Sequence, residues 1–158
     1  MSTSTVGVLL RTKEPPAIVR APKVQQPPPR SLADSPAALV WEECIDGNAA
    51  LLYRLCGDDN PLHVDASVAA QAGFPAPIMH GLCTLGYAVR AVILRLLGGE
   101  AGEVELVRCL FVGVVFPGTV LVTRMLRLSP TLIQFDCSSE GRLVLAGGQV
   151  QLRAAAKL

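Results

Sequence analysis

The chain has 158 residues, 51% of them hydrophobic, with 14 basic and 13 acidic side chains and a net charge of +1. That is one domain's worth of sequence with ample material for a core. The balanced charge and an aromatic content of 4% make no case for nucleic acid as a partner, either through phosphate attraction or through base stacking, nor for an anionic membrane surface.

Residues 1–35 hold six of the twelve prolines, including Pro27–Pro29, and show no apolar periodicity. They are expected to form an extended or mobile leader, with order from near Ala37. Ala38–Ile45 reads as a first strand. Asp46, Gly47 and Asn48 make a turn and a helix N-cap, and a short helix follows, stopped by Gly57. From Gly57 to Pro77 the chain is irregular, interrupted by a second short helix that Gly73 ends. Leu82, Leu85, Gly86, Val89, Val92, Ile93, Leu96 and Leu97 then recur at helical spacing up to Gly98-Gly99. So apolar a helix is expected to be wrapped on most sides. Four strands follow, turning at Pro117-Gly118, Ser129-Pro130 and Glu140-Gly141. Ile133, Phe135 and Cys137 alternate with Gln134, Asp136 and Ser138, the period of a two-faced strand.

A strand, a long apolar helix and four antiparallel strands predict an α+β protein of the hot-dog type: a single antiparallel sheet wrapped around a long central helix, with an overhanging segment between the first strand and that helix. One such sheet leaves edges unpaired, so a homodimer is expected. The five cysteines, Cys44, Cys56, Cys83, Cys109 and Cys137, are scattered without metal-ligand spacing and read as free thiols. No apolar run is long enough to predict a membrane span. No signal-peptide pattern opens the chain.

The overhanging segment concentrates polar chemistry. Asp58 and His63 are separated by Asn60-Pro61, so they do not share a regular helix face, and the proline turn lets them converge on one water. A carboxyl and an imidazole around a water, with the Asn60 amide as a third contact, make a general acid/base arrangement. Taken alone, the pattern fits equally a pair of turn-capping residues and a loop histidine. Gly81 opens the long helix, where backbone N–H groups lack intrahelical partners and the dipole is positive. Its N–H suits a carbonyl oxygen on which negative charge develops; its lack of a side chain suits equally a crowded helix–sheet contact. His80 reads as a helix-start or packing residue, Cys83 as a small buried residue, and Asp59 and Asp65 as solvated or capping residues.

Together, "YRLCGDDNPLH", "AGFPAPIMHGLCTLG" and, more weakly, "FPG" resemble the hydratase 2, or MaoC-like, family of (R)-specific enoyl-CoA hydratases, closest to the catalytic half of the peroxisomal eukaryotic enzymes. The resemblance implies a hot-dog domain over 36–155. It implies reversible hydration of trans-2-enoyl-CoA to (3R)-3-hydroxyacyl-CoA in fatty-acid β-oxidation, with an acyl-CoA as substrate and no cofactor or metal. Asp58 and His63 match the family's catalytic pair, Asn60 its water-positioning amide, and Gly81 the glycine whose N–H polarises the thioester carbonyl. Which of Asp58 and His63 is base and which is acid stays open. Competing readings are a dehydratase or hydratase of another acyl thioester, carried on acyl-carrier protein or a short dicarboxylic acyl-CoA, and a non-catalytic acyl-CoA-binding subunit. Cys56 stands where the family commonly has Ser, and "LFVGVVFPG" lacks the basic residues and proline usual before "FPG", so the CoA-contacting surface is expected to differ. Arg54, Arg90, Arg95 and Arg108 are candidates for the CoA phosphates. Eukaryotic relatives usually join two hot-dog halves in one chain; a single half predicts two equivalent sites in a homodimer. The terminal Ala156-Lys157-Leu158 is similar to the small–basic–Leu address read by the peroxisomal import receptor, which points to a peroxisome, with the cytoplasm as the alternative.

Overall fold

The structure, a computed structural model, describes Leu32 and residues 35–153. Most of the expected leader and the whole tripeptide Ala156-Lys157-Leu158 lie outside these residues. Packing begins earlier than Ala37: Leu32 is buried, and its N–H donates to Oδ2 of Asp136 at 2.6 Å.

The elements are β1 (Leu39–Cys44), α1 (Ala49–Arg54), a 3-10 turn (Pro61–His63), α2 (Ala66–Gln71), α3 (Gly81–Leu96), a 3-10 turn (Ala101–Glu103), β2 (Val104–Phe111), β3 (Val120–Ser129), β4 (Leu132–Ser139) and β5 (Arg142–Leu152). Local chemistry explains their ends. Asn48 occupies the N-cap of α1, but its side chain makes no capping bond; the turn is held instead by the Asp46 carboxylate, which accepts the Asn48 N–H at 2.7 Å. Asp65 caps α2 by accepting the N–H groups of Ser67 and Val68. At the C-terminus of α3, the Arg127 guanidinium donates to the Leu96 carbonyl at 2.7 Å, a cation at the negative end of the helix.

The strands form one antiparallel sheet in the order β1-β3-β4-β5-β2. β1 and β2 are successive strands placed at opposite edges, so the chain between them must cross one face of the sheet. That crossing is the overhanging segment and α3, which packs on the two strands β3 and β4. This is the hot-dog arrangement expected from the order of elements. Leu121, Thr123 and Met125 of β3 and Ile133, Phe135 and Cys137 of β4 are all buried, but Asp136, expected on the open face of β4, is buried as well, where Leu32 donates to it. Burial pushes the Cys137 thiol up to about 12 and Cys109 up to about 11, so both are inert thiols. All five cysteines are free.

The helix itself departs from expectation. Its buried residues are Thr84, Ala88, Ala91 and Val92, spaced i, i+4, i+7 and i+8, and three of the four are small. The helix therefore sits close on the sheet through alanines, and the large residues flank that contact. Leu82, one of the apolar positions at helical spacing, is 51% exposed, and Leu94 is exposed too. With Gly86 and Arg90 they make a stripe along α3 that one copy of the chain leaves uncovered. No helix among the described residues is long and apolar enough to cross a membrane.

Gly148 faces Phe135 across the β4–β5 pair, and a Cβ there would lie 2.5 Å from the Phe135 ring. The fully buried ring occupies the space that glycine leaves open. Gly148→Ala is expected to displace Phe135 and lower stability by about 1–3 kcal/mol, read from the shift in urea midpoint at constant m-value.

Candidate active site

The overhanging segment is built by a proline turn. Asn60 accepts the Leu62 N–H on Oδ1 at 3.0 Å and caps the 3-10 turn that Pro61 opens. That turn ends at His63, whose Nδ1 lies 2.7 Å from the Ile78 carbonyl oxygen. A carbonyl only accepts, so Nδ1 carries the proton and Nε2 presents a lone pair. Asp58, at the start of the turn, is exposed. A carboxylate oxygen of Asp58 and a ring nitrogen of each of His63 and His80 lie within 4.8 Å of one another. The expected convergence across the Asn-Pro break is therefore present.

Asp58, His63, His80, Gly81, Phe111 and Leu145 are among the residues around a cavity of about 440 Å³. Its rim includes exposed Asp58 and Leu82, and its depth is set by buried Thr84, Val115 and Leu145. The lining thus joins a carboxylate and two histidines to mostly apolar side chains, as in a site for a ligand with a reactive head and an apolar tail. Gly81 is the first residue of α3, and among the described residues its N–H has no acceptor. It faces a real crowding constraint as well. A Cβ at Gly81 would meet the Phe111 ring at 3.1 and 3.2 Å. The two sequence readings of this glycine are compatible, because the same absence of a side chain serves both.

Asn60 stands apart from the others. It does not line the cavity, and its side-chain oxygen is taken by its own turn. It shapes the approach of His63 through the backbone. Of the four candidate cations, Arg90 pairs with Glu43 and lies over the Tyr87 ring, while Arg95 lies over Trp41. Arg54 and Arg108 form no ion pair among the described residues.

Two contacts carry no clear sequence signal, although His80 itself lies at the helix start and in the interior as expected. Phe111, on an edge strand, walls the cavity against Gly81. His80 is 2% exposed, and its ring stacks on His63 with centroids 3.7 Å apart and planes 28° from parallel. Burial, then the nearby His63 charge, lowers the pKa of His80 from the ordinary 6.5. Burial also raises the Cys83 thiol, so the helix start does not make it a thiolate.

Three ligand-type groups this close raise the question of a metal. The stacked rings set their in-plane lone pairs nearly side by side, so those lone pairs do not aim at one point. One nitrogen of His63 faces the Ile78 carbonyl, and one of His80 faces the Asp58 carbonyl. A zinc ion needs nitrogens directed at it from about 2.0–2.1 Å, and this arrangement does not supply them.

A family model described as "MaoC like domain" matches residues 22–138, more than half of the chain. Among curated proteins, the chain is 45% identical over 109 residues to "Enoyl-CoA hydratase 2, peroxisomal" of Arabidopsis thaliana, covering 68% of this chain and 35% of the relative. Among solved structures, full-length peroxisomal multifunctional enzyme type 2 from Drosophila melanogaster superposes with a TM-score of 0.76 at 34% identity, covering 85% of this chain and 25% of the other. A MaoC-like dehydratase from Phytophthora capsici superposes with a TM-score of 0.71 at 30% identity, covering 92% and 48%. The chain thus spans about a third of the length of the plant relative and a quarter of the fly enzyme.

Because His80 is held neutral by its surroundings, its ring is expected to titrate below 6.5 in a histidine NMR titration. The sign for stability follows. Its contribution is complete above pH 6.5 and is lost as the pH falls from there through the folded-state value. Urea midpoints measured in that acid window should rise with pH, and more weakly in His80→Phe.

Proposed function

The chain belongs to the MaoC-like family, and from that premise we propose that it is an (R)-specific enoyl-CoA hydratase, a hydro-lyase that adds water reversibly to a trans-2-enoyl-CoA. The observation that carries this reading is the approach of Asp58 and His63 to within 4.8 Å at the rim of an apolar cavity that also borders Gly81. Two hydrogen bonds of about 2.8 Å meeting at a tetrahedral oxygen span about 4.6 Å, which lies inside that 4.8 Å limit and supports a single bridging water.

The Ile78 carbonyl holds His63 in the tautomer with an open Nε2 lone pair, which supports His63 as the base. In the proposed step its Nε2 takes a proton from water as the oxygen bonds to C3. The C2=C3 electrons move towards the thioester, and negative charge develops on its oxygen. The Gly81 N–H and the positive end of α3 stabilise that charge. The proton taken by His63 passes to the Asp58 carboxylate across the short gap, and Asp58 delivers it to C2, which returns both groups to their starting state. Both new bonds form on the face the pair occupies, which gives syn addition and, with the family's stereochemistry, the (3R) product. Oxidation state is unchanged over the whole addition, so the chemistry calls for no redox partner. Asn60 contributes by capping the turn that presents His63.

The relatives' names support an enoyl-CoA substrate and a peroxisomal setting, in keeping with the proposed place in fatty-acid β-oxidation. A homodimer is supported by what one copy leaves uncovered: Leu82 and Leu94 on α3, and Leu106 and Leu110 on the edge strand β2. Light scattering is expected to give twice the chain mass; an active monomer contradicts it.

Hydration of crotonyl-CoA, followed as loss of enoyl absorbance with chiral analysis of the product, tests the activity. Asp58→Asn and His63→Ala should each lower kcat by about 10²–10⁴-fold with an unchanged circular dichroism spectrum. Near-normal turnover in either variant removes the assignment. Gly81→Ala should lower kcat and also cost about 1 kcal/mol of stability as Phe111 gives way.

A further inference from the structure

We propose that His80 is a positioning residue for this chemistry, bracing the His63 ring by stacking and the Asp58 backbone by a hydrogen bond; the proposal rests on the hydratase reading above. The two contacts come from one buried side chain. The His80 ring lies 3.7 Å from the His63 ring, centroid to centroid. Its Nε2 lies 3.3 Å from the Asp58 carbonyl oxygen, which accepts, so Nε2 carries the proton. The Tyr53 ring closes the other approach at 4.7 Å. Both members of the proposed pair, which sit on an irregular and largely exposed segment, are therefore referenced to one residue at the N-cap of α3.

The remaining nitrogen shows what this arrangement costs. With Nε2 protonated, Nδ1 of neutral His80 is a lone pair, and it is buried with no hydrogen-bond partner among the described residues. An unsatisfied buried polar atom is destabilising, and a phenylalanine would fill the space without it. Packing alone does not account for a histidine here. Donation to the Asp58 carbonyl does, because a phenyl ring has no N–H.

Neutrality matters for the same reason. His63 acquires a proton in the proposed step, and a cation stacked on it would oppose that transfer. The groups facing His80 are Tyr53 and Arg54 of α1 and Asp58 and His63 of the overhang. Burial leads among the causes that keep its ring uncharged beside them.

Two variants separate the two contacts. His80→Phe keeps a stacked ring and loses the donor to Asp58; His80→Gln keeps a donor at that position and loses the ring. Each is expected to lower kcat for crotonyl-CoA hydration by about tenfold to a hundredfold, the scale of a small misplacement of reacting groups, with KM within about twofold of wild type. Amide hydrogen exchange, which needs no substrate, should speed up at Leu62, His63 and Val64 in both variants, while β3–β5 exchange as before. Wild-type kcat in both variants, or a loss confined to KM, overturns the proposal. Unchanged exchange in the overhang overturns it also. Should wild type and His63→Ala both fail to hydrate any enoyl thioester, the hydratase reading falls, and exchange alone then decides whether His80 braces the segment.

Discussion

A single backbone hydrogen bond, from the Met79 N–H to the Val115 carbonyl at 2.7 Å, ties the end of the overhanging segment to the connection between β2 and β3. The four residues from Ile78 to Gly81 hold the candidate site together. Ile78 offers the carbonyl that orients His63, His80 stacks on that ring, and Gly81 starts α3. Met79 itself is buried in the core. Moving this run would shift a tautomer-fixing acceptor, a stacking partner and a helix terminus together. Chemistry carried on an exposed loop thereby takes its geometry from the interior.

The sheet order explains why the run lies where it does. With β1 and β2 at opposite edges, the crossing chain has to pass over the sheet, and the alanine stripe of α3 lets it pass closely. The β2 edge brings Phe111 against Gly81, so the cavity forms between the helix start and the last residue of an edge strand. Stability and chemistry are divided accordingly. The interlocked apolar residues of β3–β5 and α3 hold the fold, whereas the segment from Gly57 to Pro77 is mostly exposed and is anchored through few bonds. Segments of that kind open locally most easily, which is why each bond that anchors this one bears on the proposed acid/base geometry.

The environment also sorts like residues into unlike roles. The two histidines of the chain stack on each other, yet one is half-buried with a nitrogen available at the cavity, and the other is buried and locked to a backbone carbonyl. Asp58 and Asp65 differ in the same way. Asp65 is consumed by capping α2, and its hydrogen bonds from Ser67 and Val68 hold its carboxyl below the ordinary value of 3.8. Among the described residues the Asp58 carboxylate accepts only the Asn60 N–H, at 3.4 Å, and it borders the cavity.

Much of this was legible from local pattern. Glycine and proline punctuation marked Gly57, Gly73 and the strand turns, because positive φ and the missing proline donor are properties of single residues. Helical spacing located α3, and the pair of motifs around Asp58–His63 and Gly81 led to the family. Periodicity failed on the face of α3. It marks apolar positions but not which of them the sheet reaches first, and close packing chose Ala88 and Ala91 over Leu82. His80 lies at the helix start and in the interior as expected, but its partners, 17 and 22 residues away in sequence, left no local signal, and neither did the turn that takes the Asn60 side-chain oxygen. The sequence by itself determined the elements, their order and the residue types available for acid/base work, because these depend on neighbours along the chain. The tertiary structure decided which nitrogen of His63 is open, what His80 holds and how Phe111 meets Gly81, because those depend on distances between segments that only the crossing of the sheet brings together.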